Sequence, residues 1–187
     1  MWGNNSDGQL GDGSTTRDNT PKKVEFSNGK KVKEFLLYYS SCMALLSDGT
    51  VWAWGASDGN GRLGTGETGD LSCPSQIKNL KEIEHIYGKG IASHRVFAAI
   101  NTAGDLYTWG MEYCGHNDNV EFPDKVLTGV AQVKIAWYDS ATVNYKPRQA
   151  AVKDDGTLYT WGYRSNSLVE NGKDNLVPQP YDLTSPC

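Results

Sequence analysis

The chain has 187 residues, room for one domain, and its 38% apolar and 21% charged residues make a foldable composition. No run of ~18 apolar residues offers a membrane-spanning helix, and the start, Met1-Trp2-Gly3-Asn4, has neither the basic region nor the apolar core of a secretory leader. A net charge of −4, with the densest basic cluster at Lys30, Lys31 and Lys33 beside Lys22 and Lys23, argues against a nucleic-acid binder, which shows a basic stripe.

Glycine accounts for 21 residues, above the usual ~7%, and with 11% aromatics this points to short strands and tight turns. The dipeptide Trp-Gly recurs at Trp2, Trp54, Trp109 and Trp161, at spacings of 52, 55 and 52. Before the last three lies a hairpin pattern: Asp48-Gly49-Thr50-Val51-Trp52-Ala53-Trp54, Ala103-Gly104-Asp105-Leu106-Tyr107-Thr108-Trp109 and Asp155-Gly156-Thr157-Leu158-Tyr159-Thr160-Trp161. Asp-Gly between alternating apolar runs predicts a two-residue turn with both central residues at positive φ. The partner strands are Met43–Ser47, Val96–Thr102 and Gln149–Asp154.

After the first two Trp-Gly pairs comes a glycine-rich element, Gly8-Gln9-Leu10-Gly11-Asp12-Gly13 and then Gly61-Arg62-Leu63-Gly64-Thr65-Gly66. It is replaced after Trp109 by Met111–Asp118 and survives after Trp161 only as Leu168. A proline with an apolar residue three positions on closes each unit: Pro21/Val24, Pro74/Ile77, Pro123/Val126 and Pro178/Tyr181. Units of this length with several short strands suit the blades of a β-propeller. The fold expected is therefore all-β, an incomplete propeller ring over 1–187, with repeat segments 2–53, 54–108, 109–160 and a trailing half at 161–187.

WGNNSDGQLGDGSTTRDNTPKKV resembles the second half of a regulator of chromosome condensation repeat of the bacterial style, and SDGTVWAWG and DDGTLYTWG resemble the hairpin before it. The chain departs from that pattern at Tyr38-Tyr39, where the family commonly has Gly-Gly, and at Ser41, Val96 and Arg148, where it often has His. The resemblance implies a seven-bladed ring, of which half a repeat and three full ones are present. Three arrangements follow as expectations: part of a longer protein, a ring completed by self-association with another copy, or an open arc.

Signals for catalysis are weak. Gly59-x-Gly61-x-x-Gly64 matches a dinucleotide fingerprint, but that motif needs a helix after it to receive the pyrophosphate, and the repeat itself explains the glycines. His85, His94 and His116 are scattered with no nucleophile signature. Asp58-Gly59-Asn60 lacks the remaining ligands of a calcium loop. Cys42, Cys73, Cys114 and Cys187 have no CxxC spacing, and Cys42 reads as a small core residue. No enzyme, no cofactor and no metal are expected.

Trp54, Trp109 and Trp161 recur in phase and are expected between blades. Function is expected in loops held by the rigid blades, and interfaces concentrate binding energy in Trp, Tyr and Arg. The out-of-phase Tyr38, Tyr39, Tyr113, Trp137, Tyr138, Tyr145 and Tyr163, with Arg95, Arg148 and Arg164, are therefore the candidate contacts of a non-enzymatic protein-interaction scaffold. The resemblance implies two alternatives: guanine-nucleotide exchange on a small GTPase, and β-lactamase inhibition of the kind some bacterial proteins of similar fold perform. Light sensing, as in a plant receptor of this fold, needs further interface tryptophans, and only Trp2, Trp52 and Trp137 are available. The partner and the compartment are not set by the sequence.

Overall fold

Each Asp-Gly-type hairpin pairs two short strands, and in every repeat one more strand adds on either side. The computed structural model describes residues 1–57, 61–91, 94–110, 114–115, 120–138, 146–163 and 175–181; at Ile91, His94, Val120, Trp137, Tyr138, Lys146 and Asn175 only the backbone is described. Three four-stranded antiparallel sheets result. The first runs β1 (Val32–Leu37), β2 (Ser41–Leu46), β3 (Val51–Gly55), β4 (Leu71–Gln76). The second is β5 (Ile83–Ile91), β6 (His94–Asn101), β7 (Leu106–Gly110), β8 (Val120–Leu127). The third is β9 (Val130–Tyr138), β10 (Lys146–Lys153), β11 (Leu158–Gly162), β12 (Asn175–Pro180). The prolines Pro74, Pro123 and Pro178 all fall in the outermost strand, where a missing N–H costs no ladder bond. β5 touches both β1 and β9, so first strands line the inside and the sheets follow one another as blades of an unclosed propeller.

β2 is buried throughout, and apolar after Ser41, because it is covered on both sides, the pattern of a doubly buried strand. Met43, Leu45, Val51 and Ala53 face the second blade and meet Ile83, Ile86, Phe97, Ala99 and Trp109. Cys42, Ala44, Leu46, Trp52 and Trp54 face the other way, onto Met1, Val24 and Phe26 of the N-terminal segment. The second seam repeats the scheme, with Ala98, Ile100 and Leu106 against Val130, Val133, Ala151 and Trp161.

The in-phase tryptophans are buried in these seams, Trp54, Trp109 and Trp161 all at 0% exposure. The glycine-rich element of one repeat lies over the tryptophan of the next. A Cβ on Gly11 would stand 2.8 Å from Trp54 Nε1, and one on Gly64 would stand 2.7 Å from Trp109 Nε1. Trp54 Nε1 also donates to the Gln9 carbonyl at 3.0 Å. The third repeat keeps the device without the motif: Cys114 is buried and Gly115 sits over Trp161, its Cβ position 3.4 Å from Nε1.

The hairpins differ from expectation in turn type. Only the glycine of each turn has positive φ (Gly49 +79°, Gly104 +76°, Gly156 +85°). The bonds Gly49 N–H to Leu46 O and Leu46 N–H to Thr50 O define a three-residue loop with a bulge, repeated at Asn101–Asp105 and Lys153–Thr157. The physical reason is local: Asp48 Oδ1 accepts from the Thr50 N–H and hydroxyl, and Asp155 Oδ1 from the Thr157 N–H, which holds the aspartate in an ordinary turn conformation.

Candidate protein-interaction surface

The sheets have two ends. The hairpin turns occupy one, and the β1–β2, β5–β6 and β9–β10 connections with the segments after β3, β7 and β11 occupy the other. Every described candidate contact falls at the second end. There β1 turns into β2 within three residues, closed by Tyr38 N–H donating to Ser41 O at 2.9 Å.

Alternation along this strand sends neighbours to opposite sides. Tyr39 points out and is 84% exposed, the most exposed large hydrophobic side chain among the described residues. Tyr38 points into the seam with the second blade. Its ring stands edge-on to Phe97 at 5.2 Å, and its hydroxyl fills the space a side chain would take at Gly88, where a Cβ would lie 1.7 Å away. Burial pushes the Tyr38 hydroxyl pKa well up, opposed by the charge of Arg95.

Arg95 is placed inside the protein rather than on a contact face, at 1% exposure. Its Nη1 donates to Ala56 O and its Nη2 to Ser40 Oγ, each at 2.9 Å, so it ties the β1–β2 turn to the segment after β3. The seam between first and second blades thus takes in two residues that sequence phase alone assigned to the surface.

On the third blade, Arg148 and Tyr163 are half-buried at the same end, with Tyr163 N–H donating to Pro147 O at 2.8 Å. Trp137 and Tyr138 close β9, paired with Pro147 and Lys146. Tyr113, Tyr145 and Arg164 lie outside the described residues. The structure therefore brings Tyr39, Arg148 and Tyr163 to one end of the blades, with the backbone of Trp137 and Tyr138 beside them.

Sequence reasoning missed a second exposed feature. Phe35 and Leu37 are 44% and 64% exposed on the side of β1 facing away from the second blade, and Trp2 is 64% exposed. Phe35, Ile86 and Val133 hold equivalent positions, each opposite an alanine (Ala44, Ala99, Ala151), yet Ile86 and Val133 are buried. Repeat register was the signal that could have found this.

The chemistry at hand is sparse. A cleft of about 240 Å³ on the inner strands is lined by Leu36, Ile86, Tyr87, Gly88, Val133, Lys134 and Ile135, with no acid–base pair. His85 Nδ1 is engaged with Glu34 Oε1 at 2.7 Å, while Glu34 Oε2 accepts from Ile86 N–H. Among the described residues no three His, Cys, Asp or Glu side chains gather to hold a metal ion. Trp52 donates to Thr50 Oγ1 and packs edge-on to Phe26, 5.9 Å away.

The regulator of chromosome condensation (RCC1) repeat matches residues 1–37 and 48–88. The chain is 29% identical to the ultraviolet-B receptor UVR8 of Arabidopsis thaliana over 98% of its own length and 42% of that protein. It is 29% identical to the human E3 ubiquitin-protein ligase HERC2 over 96% of its length and 4% of that protein. It thus spans less than half of either. Among solved structures, human WBSCR16 superposes with a TM-score of 0.68 at 19% identity, covering 98% of this chain and 47% of that one. Yeast RCC1 (Prp20), in its complex with Kap60, gives 0.52 at 15% identity, covering 90% and 52%.

Proposed function

The RCC1 repeat recurs in the first 88 residues of a chain that folds into three propeller blades, and from that premise we propose that it is a non-enzymatic protein-interaction module whose contact face is the end of the blades opposite the hairpin turns. The observation that carries the reading is Tyr39, 84% exposed on a turn fixed on both sides by backbone and by Arg95. An aromatic displayed on rigid backbone loses little conformational freedom on binding, which is what makes such residues binding hot spots. Tyr163 and Arg148 extend the face across the third blade, and the candidate residues outside the description, Tyr113, Tyr145 and Arg164, belong to the same proposal. Solved relatives in fold are named for protein partners: Kap60 for one yeast RCC1 structure, Gsp1p and histones for another.

The test is quantitative capture of proteins from extract of the source organism, comparing native protein with Tyr39→Ala and Tyr163→Ala. Loss of the same captured species from both variants, with unchanged thermal stability, is the expected result. Identical capture by all three refutes the assignment of this face. Stimulated nucleotide release from a small GTPase, or slowed hydrolysis by a β-lactamase, would instead select one of the two alternative readings.

A second reading has its own observation. Phe35 is exposed where its counterparts Ile86 and Val133 in the next two blades are buried, with Leu37 exposed beside it, and exposed apolar faces of this kind mark association. Self-association through this face predicts a dimer mass in light scattering that reverts to monomer in a Phe35→Asp, Leu37→Asp variant; a native monomer rejects it.

A further inference from the structure

The hairpin-turn end of the first blade presents a cationic patch that the reading above does not use. Lys30 and Lys31 lead into β1, Lys78 follows β4 and Lys81 precedes β5, and all four are exposed. Backbone bonds gather them around one turn. Ser47 N–H donates to Lys31 O, Ile77 N–H to Val51 O, and Ile83 N–H to Gly49 O. None of the four pairs with a carboxylate among the described residues, whereas Lys22, Lys23 and Lys125 do.

The carboxylates at this end offset part of this charge. Asp48, hydrogen-bonded by Thr50 and by Asn28 Nδ2 at 3.0 Å, stays ionised and attracts Lys30, while Glu82 and Glu84 are exposed acids beside Lys81. Lys33 reaches across to the Glu84 carbonyl and adds to the same side. Equivalent positions change sign along the arc. Where Lys30 and Lys31 stand in the first blade, the second has Lys81 and Glu82 and the third has Thr128 and Gly129. The turn itself carries Asp154 and Asp155 in the third blade. Lys30, Lys31, Lys33, Lys78 and Lys81 outnumber Asp48, Glu82 and Glu84 at this pole, so that in a chain of net charge −4 a localised positive field remains that survives screening only at short range, about 8 Å at physiological salt.

We infer that the turn end of the first blade docks a short acidic protein segment. A long uniform polyanion such as a nucleic acid would gain at the first blade and meet Asp154 and Asp155 at the third, so charge complementarity favours a short acidic stretch.

The test is fluorescence anisotropy of a labelled decaglutamate peptide titrated with the native chain, with a charge-reversed K30E/K31E/K81E variant, and with K89E, whose lysine lies exposed near the opposite end of β5. The native chain is expected to bind in low salt, with affinity falling steeply as salt is raised. The triple variant is expected to bind at least about tenfold more weakly and K89E like the native chain. A neutral K30Q/K31Q/K81Q variant, which gives an intermediate loss, keeps the test open should the reversed one misfold. The inference is overturned if the native chain shows no binding, if the variants at 30, 31 and 81 bind as the native does, if K89E loses as much, or if a DNA duplex of matched charge binds as tightly as the peptide.

Discussion

Glu82 is the one residue other than glycine with positive φ among those described, at +54°. Its counterpart in the next repeat is Gly129, at +66°. The cause is a peptide unit pinched between two hairpin turns. The Glu82 carbonyl accepts from Thr102 N–H of its own blade at 3.0 Å, while the following N–H, of Ile83, donates back to Gly49 of the previous blade at 3.1 Å. At Gly129 the same pair runs to Asp154 and Gly104. A left-handed backbone costs a side-chain-bearing residue about 1–2 kcal/mol, whereas glycine costs about 0.4–1 kcal/mol through the freer unfolded chain. Glu82→Gly should therefore stabilise the protein by about 0.5–1 kcal/mol. For a chain of this length that raises Tm by about 1–4 °C. Thermal unfolding followed by circular dichroism measures it, with Glu82→Ala as the control that removes the charge and keeps the strain. If Glu82→Gly melts at or below the Glu82→Ala variant, the strain argument is wrong.

Two further outcomes follow from the same turns and strands. Asp48 and Asp155 have carboxyl groups held below the ordinary range, chiefly by hydrogen bonds from Thr50 and Thr157, and Asp18 likewise by Lys22. Because the folded state favours their ionised form, their contribution is full above the unfolded value of about 4 and drains away as pH falls through the depressed folded values. Denaturant titrations across that acid range should show stability falling with pH, and an Asp48→Asn, Asp155→Asn variant should show a shallower fall; equal slopes reject the assignment. Gly110→Ala should destabilise by about 2 kcal/mol or more, since its φ is +111° and a Cβ would lie 2.4 Å from Arg95 O. Gly69→Ala, with nothing within 4 Å, should melt like the native protein.

The blades were legible because their marks are local. An Asp-Gly or Ala-Gly turn, an alternating strand and a Trp-Gly all sit within a dozen residues, and each fell in the expected sheet. What escaped was decided between repeats. Gly115 does the work of Gly64 over the next tryptophan, yet its surroundings, Tyr113-Cys114-Gly115-His116, share no pattern with Gly61–Gly66; only the seam reveals that Cys114 stands where Leu63 does. Tyr38 and Tyr39 are adjacent and chemically identical, and one is in the seam while the other is in solvent. That difference rests on Gly88, fifty residues away, leaving room for a hydroxyl.

The same comparison narrows where function can sit. In a repeat fold, a residue out of phase is either a loop contact or a patch for a local irregularity, and Arg95 shows the second outcome: its guanidinium donates to the Ser40 hydroxyl in the Tyr-Tyr turn and to the Ala56 carbonyl, holding the two segments together. Removing it would damage the seam, and any loss of binding would say nothing about contact. Tyr39 is free of that ambiguity, because it buries almost nothing in the fold. An alanine there should leave stability within about 0.5 kcal/mol of native, so a binding defect in that variant can only be a lost contact. The residues best suited to find the partner are those on which the framework does not depend.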